Sequence, residues 1–125
     1  MLEFSVTLTD KPGELAAVAS AVGDEGINIL GCVGMAHSSA SVTMVTDDEE
    51  ATSKVLESMG RKFETNELIL TSLSNKPGAL AEMATKLSEA KVNIVSLYIM
   101  KMELDRADIA LTTDNPSKTK EILGI

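Results

Sequence analysis

Two stretches of this chain carry residues suited to holding a small charged molecule, and the two are nearly the same stretch. Asp10-Lys11-Pro12-Gly13 and Asn75-Lys76-Pro77-Gly78 each interrupt an alternating apolar pattern and lead into an amphipathic helical one. An asparagine, Asn28 or Asn93, stands 18 residues beyond the first residue of each stretch. A helix start offers unpaired N–H groups and the positive end of the helix dipole to an anion. Gly13 and Gly78 have no Cβ, so the backbone can approach a ligand closely. Asparagine presents an acceptor and a donor on one short side chain. The same residues also have a plainer use: Pro-Gly shapes a turn ahead of a helix, and asparagine can satisfy nearby backbone.

Other reactive side chains are few. Cys32 is the single cysteine, so neither an intrachain disulfide nor a thiolate cluster can form, and one histidine, His37, excludes any site built on two imidazoles. There is no phosphate loop of the G-x-x-x-x-G-K-[ST] kind, and nothing places Ser, Asp and His37 in a triad. The acidic run Asp47–Glu50 lacks the alternating spacing of a calcium loop and reads as the start of a helix. Enzymatic chemistry is therefore disfavoured, and no cofactor or metal is expected.

The elements that position these residues come twice. Segment 9–29 aligns without a gap on segment 74–94, with 8 identities in 21 positions. Beyond that the offset grows from 65 to 67: Ala40, Thr46-Asp47 and Leu56 match Ala107, Thr113-Asp114 and Leu123. The two extra residues are expected in a hairpin turn near Glu103–Arg106. Leu2, Phe4, Val6 and Leu8 alternate as in a half-buried strand. Leu15, Val18, Ala19 and Val22 have helical spacing, as do Leu80, Met83, Ala84 and Leu87. Pro12 is expected in the first helical turn, and Gly23 or Gly26 at the helix end. Strands are expected at Ile27–Val33 and Ser41–Thr46, then a helix burying Ala51, Val55 and Leu56, then a short strand near Lys62–Thr65. The order is β-α-β-β-α-β. In the second copy Asp114 is the expected N-cap, with Pro116 near N1. By Ile125 that copy has reached only the end of its second helix, so its last strand is missing. The expected domains are 1–65 and 66–125. Consecutive Leu68, Ile69 and Leu70, and the run Ile94, Val95, Leu97 and Ile99, are apolar on both parities, which expects cover on both faces and favours a homo-oligomer.

Composition narrows the partners. The 125 residues carry a net charge of −8, which repels phosphate backbones, and the three aromatics Phe4, Phe63 and Tyr98 leave no stacking platform for bases, so no nucleic acid is expected. The N-terminal MLEFSVTLTD has no signal-peptide pattern and LAAVASAV is too short to span a bilayer, so no membrane partner and a cytoplasmic location are expected. Lys11 and Lys76 read as solvated loop lysines, His37 as a surface residue and Cys32 as a small core residue. Met35, Met44, Met100 and Met102 read as adaptable core or interface filler.

Two copies of strand, [DN]-K-P-G-x-L turn, apolar helix and [IV]-N-I opening a strand resemble tandem ACT domains, over nearly the whole chain. The resemblance implies an α+β fold: two ferredoxin-like βαββαβ (ACT) repeats with antiparallel sheets, the second lacking its last strand. It also implies a small stand-alone module with no catalytic domain that binds a small amino acid and regulates metabolism, with a metabolic enzyme as a possible partner. In the family, ligands lie at the seam between domains, held by the strand–helix turn of one and the second strand of the other. Carried over, one site combines Asn75, Pro77, Gly78 and Ala79 with Asn28 and Ile29. The other combines Asp10, Pro12, Gly13 and Glu14 with Asn93 and Ile94. The turn suits the carboxylate of an amino acid, and the asparagine suits its ammonium and carboxylate together. Asp10, where the other turn has Asn75, repels a ligand carboxylate, so the Asn75 site is expected to be the better one. The alternatives are a ligand-free assembly or oligomerisation module, or a regulatory subunit of an amino-acid biosynthetic enzyme.

Overall fold

The computed structural model describes residues 1–125. Strand β1 (Leu2–Leu8) is followed by helix α1 (Glu14–Asp24), β2 (Ile29–Met35), β3 (Ala40–Thr46), α2 (Glu49–Ser58) and β4 (Phe63–Glu67). The second copy gives β5 (Ile69–Ser74), α3 (Ala79–Glu89), β6 (Ile94–Met102), β7 (Arg106–Thr113) and α4 (Pro116–Leu123). The chain divides into two compact units, Leu2–Asn66 and Glu67–Ile125, the latter with Met1. No helix is long and apolar enough to cross a membrane.

In the first unit the sheet order is β2-β3-β1-β4, with β3 antiparallel to both β1 and β2. Each strand–helix–strand passage thus leaves room for a third strand between its two strands, which is the split βαβ arrangement. Phe4 and Val6 of β1 and Val42 and Met44 of β3 meet Val18 and Val22 of α1 and Val55 and Leu56 of α2 in one core. Phe63 of β4 packs on that core with its ring 6.1 Å from Phe4. The second unit repeats this with three strands, order β5-β7-β6, and a core of Ile69, Met83, Leu87, Val92 and Leu111. Strand β5 is therefore an edge strand where its counterpart β1 is internal. Ile109, Ala110 and Leu111 are all buried, so β7 is covered on both faces, whereas Val95 and Ile99 of β6 are exposed.

Several local expectations need correction. Pro12 and Pro77 lie outside their helices, because Gly13 and Gly78 take the N-cap positions. At the other end Gly26 adopts a positive φ of 73° while Gly23 stays helical. Asn115 caps α4 in place of Asp114, whose carboxylate is engaged elsewhere, and Pro116 sits at N1 as expected. Only one of the two extra residues falls in the β6–β7 turn. The other is a bulge at Met100, where the register shifts between Ile99 and Lys101. Cys32 is exposed because β2 is an edge strand and only its other parity faces the helices. Leu15 and Leu80 are each 50 % exposed, because each lines an open cleft beside its helix instead of joining the core.

Candidate ligand site

The two glycine turns have the same geometry. Gly13 has φ 90° and ψ −9°, and Gly78 has φ 87° and ψ −10°. With proline ahead of it, each glycine occupies the third position of a type II turn, where a positive φ is required. The Ala79 N–H closes the second turn onto the Lys76 carbonyl at 3.3 Å. A Cβ built on either glycine meets nothing within 4 Å, so the space above the turn is open. Neither α1 nor α3 has a side-chain cap. By contrast, Asp48 accepts from the Ala51 N–H at 3.0 Å and Asn115 from the Lys118 N–H at 3.1 Å, capping α2 and α4. No side chain occupies the first-turn N–H groups of these helices, and apart from the Ala79 N–H, which the Lys76 carbonyl holds, they remain available to an external acceptor.

The asparagines are held by the backbone, and their side chains remain unspent. The Asn28 N–H donates to Asp47 Oδ1 at 2.9 Å, and the Asp47 N–H donates back to the Asn28 carbonyl at 3.1 Å. Asn93 and Asp114 repeat this at 2.9 and 3.1 Å. Both asparagines are exposed, and neither side-chain amide has a hydrogen-bond partner. A bulge follows each, at Leu30 and Val95, while Ile29 and Ile94 turn partly into their cores. Behind each clamp lies a buried hydroxyl pair, Thr46 with Thr52 at 2.7 Å and Thr113 with Thr119 at 2.8 Å. The recurring Thr-Asp dipeptide was visible in the sequence as a repeat match, but its role in fixing the asparagine was not.

Within one unit the turn and the asparagine do not meet. Helix α1, 11 residues long and so about 16 Å from end to end, runs between Gly13 and Asn28. The α3 helix separates Gly78 from Asn93 in the same way. In neither unit, then, do the glycine turn and the asparagine share a site.

The two turns differ in what surrounds them. The Glu14 carboxylate accepts both Arg61 guanidinium nitrogens at 2.9 Å and the Thr9 N–H at 2.7 Å. The Arg61 hydrogen bonds, then that from Thr9, lower its pKa to about 2. Its side chain is thereby committed. Ala79 stands at the equivalent place in the second turn. Asp10 has no hydrogen-bond partner, whereas the Asn75 amide donates to the Glu103 carbonyl at 2.9 Å and the Asn75 N–H to the Asp105 carbonyl at 3.0 Å. Asn75 therefore ties its turn to the β6–β7 hairpin and retains Oδ1 as a free acceptor. Pro12, Pro77, Lys11 and Lys76 are exposed.

Beside each turn lies a cleft that the sequence reading missed. In the second unit it has a volume of about 180 Å³ and is lined by Asn75 and Leu80 on the turn side and by Leu97, Ile99 and Ile109 on the sheet side. In the first unit the matching cleft, about 210 Å³, is lined by Asp10, Glu14 and Leu15 with Gly34 and Val42. The available signal was the leucine of the K-P-G-x-L motif, apolar in both copies and half-exposed in the structure.

The family model for the ACT domain pair matches residues 1–125. A Bacteroides thetaiotaomicron protein of known crystal structure superposes with a TM-score of 0.86 at 23 % identity, over 98 % of this chain and 85 % of that one. The ligand-free regulatory subunit of aspartate kinase from Thermus thermophilus gives a TM-score of 0.71 at 14 % identity, over 98 % and 90 %. Escherichia coli aspartokinase III, in complex with lysine and aspartate, gives 0.63 at 14 % identity, over 98 % of this chain and 29 % of that one. These likenesses concern the fold. Among curated proteins none matches.

Proposed function

The chain belongs to the ACT domain family, and we propose that it is a non-catalytic regulatory module that binds a small amino acid between adjacent ACT domains and senses its level. In this reading the glycine turn of one domain receives the ligand carboxylate on its open N–H groups. The asparagine of a neighbouring domain meets the ammonium and the remaining carboxylate oxygen. Asn75, Pro77, Gly78 and Ala79 with Asn28 and Ile29 make the stronger site. Asp10, Pro12, Gly13 and Glu14 with Asn93 and Ile94 make the weaker one, because the Asp10 carboxylate faces the ligand's own.

The observation that carries the reading is the pairing of two unspent groups in both repeats: uncapped helix starts and partnerless asparagine amides, set at opposite ends of each domain. A domain built only for packing has no reason to leave both open twice. The output is a change in assembly or in the hold on a metabolic enzyme, which requires the ligand to prefer one state over the other. An enzyme partner is favoured by the naming of solved structures of like fold as regulatory subunits of aspartate kinase.

The test is a thermal-shift screen of the chain against the twenty amino acids. A ligand at 100 times its Kd stabilises the folded form by about 2.7 kcal/mol, a readily measured shift. Loss of that shift in Asn75→Ala supports the assignment. No shift with any amino acid at millimolar concentration refutes it and leaves the assembly module as the reading.

A further inference from the structure

Resting on the reading above, we infer that the ligand of the Asn75 site carries an apolar side chain, held in the cleft between α3 and the β6–β7 sheet face. The cleft runs from a polar mouth to an apolar floor. At the mouth stand Asn75, with Oδ1 unspent, the exposed Lys76, which is the one charged residue of the lining, and the uncapped start of α3. The floor is Leu80, Leu97, Ile99 and Ile109. This is the polarity of a zwitterion with a hydrocarbon tail: charged groups at one end and none at the other. No acidic residue lines the cleft, so the terminal ammonium of a lysine-like ligand would lose its hydration without a partner.

The first unit provides an internal comparison. There Gly34 stands where the second unit has Ile99, and the acids Asp10 and Glu14 stand where it has Asn75 and Ala79. The same scaffold thus presents isoleucine on the sheet side and an amide at the mouth in one repeat, and glycine and a carboxylate at those places in the other. The half-exposed Leu80, and Ile99 at 54 % exposure, are apolar surface left open beside the polar groups. Burying these two residues under a ligand recovers that exposed area.

The experiment titrates the intact chain by calorimetry with valine, leucine, isoleucine and phenylalanine, and with lysine, threonine and aspartate as contrasts. Preference for the first group, weakened about tenfold or more in Ile99→Ser and in Leu80→Ser, supports the inference. Both side chains are half-exposed or more, so the variants keep their cores. Binding of a charged or hydroxylated amino acid that depends on Asn75 but not on Ile99 overturns the apolar assignment and leaves the sensor standing. Binding of no amino acid at all removes both.

Discussion

Replacing Gly78 by alanine separates what the turn does for folding from what it does for a ligand. At φ 87° and ψ −10° the backbone is in the left-handed region, where an L-residue with a Cβ costs about 1–2 kcal/mol. The new methyl group meets nothing within 4 Å, so no clash adds to that figure. Stiffening the unfolded chain returns about 0.4–1 kcal/mol, which leaves a net loss of about 1 kcal/mol, or about 4 °C in Tm for a chain of this size. Gly13→Ala should lose the same, since its φ of 90° and its open surroundings match. Gly23→Ala, inside α1 and at ordinary φ, should gain about 0.5–1 kcal/mol. Asparagine, which tolerates the left-handed region, should fall between glycine and alanine at position 78. Scanning calorimetry on the four variants reads the order directly. If Gly78→Ala proves as stable as the parent, the turn does not need its positive φ, and the conformational account of both glycines fails.

Further outcomes follow from the clamps and the ion pair. Glu14 has a folded pKa of about 2, below its ordinary 4.5, so the stability it contributes is fully present above pH 4.5 and disappears as pH falls through 2. The Tm gap between the parent and Arg61→Met should thus be constant from pH 5 to 7 and close toward pH 2. A gap that does not change with pH would falsify the ion-pair assignment. Thr52→Val leaves the buried Thr46 hydroxyl without its 2.7 Å partner, at about 1–3 kcal/mol. Thr46→Val/Thr52→Val should cost less than the sum of the single changes in urea unfolding, and strict additivity would argue against the pair. Asp114→Ala frees the Asn93 N–H and should weaken ligand binding at the site that uses Asn93. Asp114→Asn, which keeps an acceptor oxygen, should bind nearly as the parent does when both are titrated calorimetrically.

The duplication and the strand–helix order could be read from the sequence because period and turn chemistry are local properties. Phe4, Val6, Val18 and Val22 announce their faces by spacing alone, and Asn28 and Asn93 stand out by recurring. What could not be read depends on distant partners. Glu14 looked available until Arg61, 47 residues away, was found to occupy it. Asp114 looked like a cap, but its carboxylate reaches back 21 residues to Asn93, and the capping passes to Asn115. Leu15 and Leu80 fit the helical stripe, yet a stripe does not reveal which of its members face an open cleft instead of the core. The spacing of Cys32 likewise could not show that β2 lies at the sheet edge with that side uncovered.

The unequal sheets give the two halves unequal hydrogen-exchange behaviour. Strand β1 has β3 on one side and β4 on the other, whereas β5 has β7 alone. The outward amides of β5 should therefore take up deuterium through small local openings, while those of β1 wait for cooperative unfolding. The β5 sequence Ile-Leu-Thr-Ser-Leu-Ser carries no charge and no proline, and its pairing with β7 is free of bulges. It thus lacks the usual guards of a free strand margin, and of the paired strands it is the one along which a foreign extended segment would align most readily.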